Sequence, residues 1–186
     1  MLWASGQVNQ NKKGGGIRPL LSEDITVFEN YWAFLKGIFA EDPKMISHTE
    51  AVFQFAEAIA EDLGIAGTKR RIIELSALLH DVGIVEAFKK YGSREGQYQH
   101  IEGPPLARKI MEREGETPEV IERVAFIVGH HHDFSCVDDL DFQVLIEADM
   151  LVNLEELGME KRKLAAFIDT FFKTSRGKAL AQTIYL

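Results

Sequence analysis

Apolar residues recur at helical spacing through nearly the whole chain from Ser22 onward. A spacing of three or four residues places side chains on one face of an α-helix, whereas a half-buried β-strand needs alternating apolar and polar residues. No alternating run in the sequence is long enough to indicate a sheet. The pattern therefore predicts an all-α fold, a helical bundle whose apolar faces turn inward.

Capping residues, Pro and Gly mark the boundaries of the predicted segments. The predicted helices cover residues 22–43, 47–64, 69–80, 104–114, 119–131 and a stretch beginning at 141, and two shorter helices close the chain. Residues 84–99 are charged, aromatic and Gly-containing, which predicts a substrate-recognition loop with at most a short helix. Residues 1–21 lack an apolar period, so we expect a flexible lead-in followed by a single domain over residues 22–186.

The charge and cysteine content exclude several classes of protein. The 186 residues include 21 Lys and Arg against 29 Asp and Glu, a formal net charge of −8. Duplex nucleic acid is a poor partner for such a chain, because its binding depends on neutralising phosphates with Lys and Arg. No stretch approaches the ~18 consecutive apolar residues of a membrane span. The first residues lack the apolar core of a secretory signal peptide. Cys136 is the single cysteine, so an internal disulfide cannot form. We expect a soluble, cytoplasmic protein that does not bind membranes, and homo-oligomerisation stays open.

All six histidines lie between positions 48 and 132. His48 and Asp149 fall on the apolar faces of their predicted helices, while His80 and Asp81 stand at a helix end. An ionised Asp on a buried face costs several kcal/mol unless it is paired or bound to a metal. These four side chains are therefore predicted to share a divalent metal ion, for which imidazole nitrogen and carboxylate oxygen are suitable ligands.

A second set of histidines follows Gly129 at the end of another predicted helix. His130 and His131 are adjacent, and adjacent helical side chains diverge by about 100°, which a helix end can accommodate. Each could bind a different ion of a pair spaced ~3.5 to 4 Å apart, with a carboxylate bridging the two ions. The sequence thus allows one or two metal ions per chain.

The order of these motifs resembles the HD superfamily of metal-dependent phosphohydrolases. The matching elements, in chain order, are His48, the segment LLHDVG at 78–83, a downstream histidine, IVGHHH at 127–132 and EADMLVN at 147–153. The resemblance covers residues 46 to about 155. It implies an all-α bundle and a minimal metal set with the members His48, His80, Asp81 and Asp149.

The two-metal branch of that superfamily includes the HD-GYP cyclic-dinucleotide phosphodiesterases. Resemblance to this branch implies that His100, His130 and His131 are additional ligands. The GYP motif itself is absent, because DFSCVDDLDF follows the histidines at 133–142, so cyclic dinucleotides are not implied. The implied cofactor is one or two divalent transition metal ions, Fe, Mn, Ni, Co or Zn, with Mg also compatible.

The function that follows is hydrolysis of a small phosphomonoester or phosphodiester, with nucleotides among the candidates, by a metal-activated hydroxide. Asp81 is the predicted catalytic residue, bridging the metals or holding the water. Lys89, Lys90 and Arg94 are predicted to bind substrate phosphate, although a solvated helix end explains the two lysines equally well.

Two further residues beside the histidine pair are expected to support the ligands. Asp133 would orient a ligating histidine by accepting its free N–H. His132 would be a partner of a ligand, a ligand in a shifted alignment, or a solvated turn residue. Glu147 is expected on the surface or in an interhelical salt bridge.

Two other functions are compatible with the same residues. A few HD-fold proteins carry a similar ligand set with two irons and activate dioxygen, so a di-iron oxygenase is one alternative. The other is a non-catalytic regulatory or dimerisation module that the metal stabilises.

Overall fold

A computed structural model describes residues 27–186 and confirms the all-α fold, since no β-strand occurs within that range. The predicted lead-in and the Ser22 cap lie outside the described residues. The helices are α1 (Glu29–Ile38), α2 (Pro43–Asp62), α3 (Gly67–Leu79), α4 (Ile84–Tyr91), α5 (Gly96–Arg113), α6 (Pro118–His130), α7 (Leu140–Asn153), α8 (Lys161–Phe171) and α9 (Ser175–Tyr185), with 3₁₀ turns at Phe134–Cys136 and Leu154–Leu157.

Helix α3 occupies the centre of the bundle and packs against α2, α6 and α7. Large side chains fill the space between these helices and are almost fully buried, among them Phe53, Leu75, Ile127 and Phe142. Burial of one such side chain stabilises the fold by about 1.5 to 3 kcal/mol. The central position of α3 matters for function because the His80–Asp81 pair directly follows its last turn.

Helix α5 differs from the prediction. Pro104 and Pro105 were expected to open a helix, but they lie inside α5, which begins at Gly96. Proline has no N–H, so it cannot donate the usual helical hydrogen bond to the carbonyl four residues earlier. Packing against α6 accompanies this loss. A methyl group at the Cβ position of Gly129 would lie 3.1 Å from Pro104 Cγ, so the proline ring packs closely on the glycine. The close approach brings the N-terminal half of α5 next to the histidines at the end of α6.

The predicted loop at 84–99 is mostly helical. Helix α4 occupies Ile84–Tyr91 and ends at Gly92, whose φ of 67° is in the left-handed region that glycine adopts readily. Helix α5 then begins at Gly96, so only the short turn 92–95 separates the two helices.

Two helix starts also differ from the prediction. Helix α2 begins at Pro43 rather than at Ser47, as suits a proline in the first turn. Helix α7 is capped by Asp139 instead of Asp141, and Asp139 Oδ1 accepts a hydrogen bond from the Leu140 N–H at 2.6 Å. Asp141 instead pairs with Arg123 of α6. Over residues 27–186 the helices are too short or too polar for any of them to cross a membrane.

Candidate metal centre

The His80–Asp81 pair lies at the end of α3 and is buried, with 1% and 3% of each residue exposed. His80 Nδ1 is 2.9 Å from the backbone oxygen of Ala77. A carbonyl oxygen can only accept, so Nδ1 is the donor, and Nε2 remains available as a ligand atom once the ring is neutral. Nε2 lies 3.2 Å from Asp81 Oδ2. The Ala77 carbonyl thus fixes the orientation of the His80 imidazole.

Helices α2 and α7 bring His48 and Asp149 to the same point. His48 Nε2 lies 3.2 Å from His80 Nε2, 3.2 Å from Asp149 Oδ1 and 3.5 Å from Asp81 Oδ2. His80 Nε2 is 3.8 Å from Asp149 Oδ1, and Asn153 donates a hydrogen bond to the same oxygen at 2.8 Å. The structure therefore brings together the four side chains of the predicted minimal metal set.

The spacing of these atoms fits a shared ion. Two ligand atoms bound to one ion at about 2.0 to 2.2 Å, at angles of about 90° to 110°, are about 2.8 to 3.6 Å apart. The measured separations of 3.2 to 3.8 Å lie in or close to that range. In addition, Asp81 Oδ1 and His131 Nε2 are buried without a hydrogen-bond partner among residues 27–186. A buried polar atom without a partner is costly, so these two atoms also fit metal ligation.

The carboxylates and imidazoles strongly perturb each other's titration. Burial raises the pKa of Asp81, but the charge of His80 and its neighbours holds that pKa well below the usual value. The pKa of Asp149 is likewise lowered, because His48 and His80 outweigh burial. Conversely, burial lowers the pKa of His80, yet Asp81 and Asp149 outweigh it and raise the pKa to about 9. Both carboxylates are therefore ionised at neutral pH, the form that binds a cation.

A second ligand group adjoins the first through Asp81. Ligand atoms of Asp81, His131 and His132 all lie within 4.8 Å of one another. His131 Nε2 is 3.6 Å from Asp81 Oδ1, and His131 Nδ1 donates to the Val128 carbonyl at 2.8 Å. Asp81 thus presents Oδ2 to the first group and Oδ1 to the second, which is the placement a bridging carboxylate needs.

The histidine pair in the second group is shifted by one residue from the predicted pair. His130 belongs to neither ligand group formed by the described residues: its Nδ1 donates to the Phe126 carbonyl at 2.7 Å and its ring packs on the Phe126 ring, with centroids 4.4 Å apart. His131 and His132 stand in the turn after α6, with ring centroids 3.8 Å apart. Burial and the neighbouring His131 lower the pKa of His132 to about 3, so its ring is neutral and able to ligate.

His100 approaches the second group from α5. Its ring is stacked on that of His132 with a centroid distance of 6.1 Å, and it lies 6.2 Å from the ring of His130. His100 Nε2 is buried and makes no hydrogen bond to any residue in 27–186. Burial lowers its pKa and favours the neutral ring. His100 is thus near the second group, without belonging to the set whose ligand atoms lie within 4.8 Å.

Three glycines, Gly83, Gly96 and Gly103, shape this centre, and the sequence interpretation gave no role to Gly96. A methyl group at the Cβ position of Gly96 would lie 2.6 Å from His132 Cδ2, so the ring rests on the bare backbone at the start of α5. A methyl group on Gly83 would lie 2.5 Å from the backbone nitrogen of Gly103. Gly83 therefore allows the chain to leave the HD pair in close contact with α5. The sequence signal was present in LLHDVG, but its partner on α5 was not apparent.

The predicted phosphate-binding cations are all paired with carboxylates. Lys89 Nζ bonds to Glu86 at 3.0 Å, within the same helix. Lys90 Nζ bonds to Glu102 at 2.5 Å, and the Tyr91 hydroxyl donates to the same carboxylate. Arg94 Nη1 bonds to Asp42 Oδ2 at 3.0 Å. The two lysines therefore have partners within α4 and α5, and the partner of Arg94 precedes α2.

Asp133 and Glu147 do not have the roles that the sequence suggested. Asp133 Oδ1 accepts from the Ser135 N–H and caps the following 3₁₀ turn, instead of accepting from an imidazole. Glu147 is fully buried. Its Oε1 accepts from the backbone N–H groups of Lys173 and Thr174, and Oε2 accepts from the Thr174 hydroxyl. Glu147 is thus a structural acceptor that holds the start of α9.

Comparison with known proteins identifies the family of the chain. The family model described as the HD domain matches residues 45–167, well over half of the chain. The match includes the six residues of the two ligand groups and also His100. Neither the curated proteins nor the solved structures contain a significant match. The matched segment ends within α8. The chain belongs to the HD domain family, whose members are generally metal-dependent hydrolases that bind divalent metals.

Proposed function

We propose that this chain is a metal-dependent phosphohydrolase that cleaves a small phosphomonoester or phosphodiester, with nucleotides among the candidate substrates. The single observation that carries the proposal is the position of Asp81, whose two carboxylate oxygens face two different histidine groups. Paired ions sharing a carboxylate suit phosphoester cleavage, because they act on both the attacking and the leaving oxygen.

The residues of the first group, His48, His80, Asp81 and Asp149, would hold one ion. Asp81, His131 and His132 would hold a second ion, with His100 alongside. A bound divalent ion lowers the pKa of water toward neutrality and polarises a phosphoryl oxygen. Asp81 stays ionised, because its pKa is lowered. It would then either bridge the two ions through its two oxygens or accept a hydrogen bond from the attacking water. His80 and His131 each donate a hydrogen bond from Nδ1 to a backbone carbonyl, which keeps their Nε2 atoms directed at the centre.

The charge distribution favours a small substrate. The chain carries a formal charge of −8, so a long polyanion would be repelled over most of its length.

Arg94 is the Lys or Arg residue nearest in sequence to Gly96, whose Cβ position adjoins the His132 ring. A planar guanidinium binds a phosphate through two parallel hydrogen bonds, which suits Arg94 for a single phosphate group.

Hydrolysis of p-nitrophenyl phosphate and bis(p-nitrophenyl) phosphate, with Mn²⁺, Co²⁺ or Ni²⁺ present, tests the proposal. We expect release of p-nitrophenol by the wild type and a loss of about 100-fold or more in Asp81→Asn, since even residues that only support a metal ligand are worth about 10- to 100-fold. Asp169→Asn is the matched control, because Asp169 is exposed and pairs with Lys178 on the surface. If Asp81→Asn binds metal and remains fully active, the proposed role of Asp81 is wrong.

A di-iron oxygenase is the second candidate, and the two histidine groups sharing Asp81 favour it as well. Iron loading distinguishes the two functions. A charge-transfer absorption band together with oxygen uptake, in a protein that leaves both phosphoesters intact with every metal, would support the oxygenase and reject the phosphohydrolase.

A further inference from the structure

We propose that Asp42 is an intramolecular competitor of phosphate for Arg94 and so sets how tightly the site binds a phosphoryl group. The inference rests on the proposed function, because it concerns the substrate phosphate of that same site. It adds a residue, Asp42, that the metal chemistry does not use. In the structure, Arg94 Nη1 lies 3.0 Å from Asp42 Oδ2.

The ion pair joins two segments that both lead into the metal centre. Arg94 stands in the turn 92–95, two residues before Gly96, and the Cβ position of Gly96 is 2.6 Å from the His132 ring. Asp42 directly precedes α2 and is six residues before His48. At 1.5 Å per residue, six residues of helix span about 9 Å. The Asp42–Arg94 pair therefore links the start of the helix that carries His48 to the turn before Gly96, which lies against His132.

The backbone of Arg94 is held while its side chain is exposed. Gln99 is 1% exposed and donates its Nε2–H to the Arg94 carbonyl at 2.8 Å. The Ser93 hydroxyl accepts from the Glu95 N–H at 3.2 Å and holds the same turn. The Arg94 side chain, in contrast, is 46% exposed. Its guanidinium can therefore change partner without any movement of the chain to which it is attached.

The guanidinium also rests on an aromatic face. Arg94 Cζ lies 5.3 Å from the centroid of the Phe88 ring, which belongs to α4. A ring has no conventional hydrogen-bond acceptor, so this contact leaves the five N–H donors of the guanidinium available for other partners. Asp42 takes one such bond in the structure. A phosphate would take two in parallel.

The partners of the other two cations explain why Arg94 is the exchangeable one. Glu102, the partner of Lys90, has a side chain only 11% exposed and also accepts from Tyr91, so its removal from Lys90 would leave a poorly solvated charge. Lys89 pairs within its own helix. Asp42 is more exposed, at 26%, and exposed pairs of this kind contribute little to stability. A phosphate can therefore replace Asp42 at low cost.

Calorimetric titration of the metal-loaded protein with inorganic phosphate tests the proposal without requiring turnover. Asp42→Asn should bind phosphate about 2- to 5-fold more tightly, the factor that corresponds to a weak exposed ion pair. Arg94→Gln should bind it about 10- to 100-fold more weakly. The double variant should match Arg94→Gln, because without Arg94 there is nothing for Asp42 to occupy.

Glu41→Gln is the matched control, since it removes the same charge from the neighbouring exposed position and should change phosphate affinity less than Asp42→Asn. An equal gain in Glu41→Gln, or a gain from Asp42→Asn that persists in the Arg94→Gln background, would overturn the proposal by showing a general charge effect. Absence of phosphate binding by the wild type would also overturn it. Normal phosphate binding without hydrolysis of any phosphoester would reject the proposed function and leave the competition between Asp42 and phosphate standing.

Discussion

Gly96 leaves room for a ring of the second ligand group, so replacing it by alanine tests the assignment of His132. The added methyl group would lie 2.6 Å from His132 Cδ2, 2.9 Å from Cγ and 3.0 Å from Cβ. Cβ atoms in real proteins make longer contacts than these. The three His132 atoms are Cβ and two ring atoms attached closely to it, so they cannot swing away like the end of a flexible side chain. The ring of His132 must therefore move, or the start of α5 must move away from it.

The cost of the Gly96→Ala replacement is moderate. Overpacking of this kind costs about 1 to 3 kcal/mol, and alanine regains at most about 1 kcal/mol of helix propensity relative to glycine. The net loss of unfolding free energy is then no more than about 3 kcal/mol, which a folded domain of this size tolerates. Displacement of a ligand or its support weakens metal binding by about 10- to 100-fold.

Calorimetric titration of chelator-stripped protein with Mn²⁺ or Co²⁺ measures this effect. The wild type should bind two ions, and Gly96→Ala should retain the ion of the His48–His80–Asp149 group while the second binds about 10- to 100-fold more weakly. Gly37→Ala is the control, because a Cβ on Gly37 meets nothing within 4 Å. That variant should gain about 0.5 to 1 kcal/mol of stability and bind both ions normally. Unchanged affinity for two ions in Gly96→Ala, or a single ion in the wild type, would refute the assignment of His132.

Three further expectations concern packing and protonation. Gly83→Ala places a methyl group 2.5 Å from the Gly103 nitrogen, so its free energy of unfolding should fall by about 1 to 3 kcal/mol. A thermal melt at the wild-type Tm would contradict that contact. Glu147→Gln turns one acceptor for the start of α9 into a donor and should cost about 1 to 3 kcal/mol in urea unfolding; an unchanged midpoint would contradict the role of Glu147. Burial lowers the pKa of His80, but Asp81 and Asp149 raise it to about 9, so the ring is protonated at pH 7 and must lose a proton to bind metal. Metal affinity should accordingly rise up to about tenfold per pH unit from pH 7 to 9 and then level off, and a binding enthalpy independent of the buffer's ionisation enthalpy would argue against this.

Much of the first ligand group could be predicted because its members obey the helical period. His48 and Asp149 share a face with apolar residues, and the only way to turn those faces inward is to bring the two side chains toward the central helix. His80 and Asp81 follow from their place at the end of α3. The fold class followed from the same period, and the structure confirms it.

The second group depends on details that a period does not contain. Whether His130 or His132 accompanies His131 is decided by the residue at which α6 ends, and helix ends are uncertain by one or two residues in sequence. Pro104 and Pro105 look like the start of a helix, yet contact with Gly129 keeps them inside α5. These contacts join residues distant in sequence, so local propensity cannot reveal them.

Glu147 illustrates a third kind of difference. Its position on α7 is compatible with a surface carboxylate, and no local signal indicates that the N–H groups of Lys173 and Thr174 will meet it. A buried carboxylate is acceptable there because these donors satisfy it. Such a partner is determined by how a later helix returns to the bundle.

The metal content of the native protein is the most direct test of the central claim that Asp81 and its neighbours form a metal centre. The measurement is elemental analysis of protein purified without chelator, alongside His80→Ala prepared in the same way. We predict one or two divalent transition metal ions per wild-type chain and a clear loss of metal in the variant. A wild-type chain that is folded, contains no stoichiometric ion and takes up none of Mn, Fe, Co, Ni or Zn would contradict the claim.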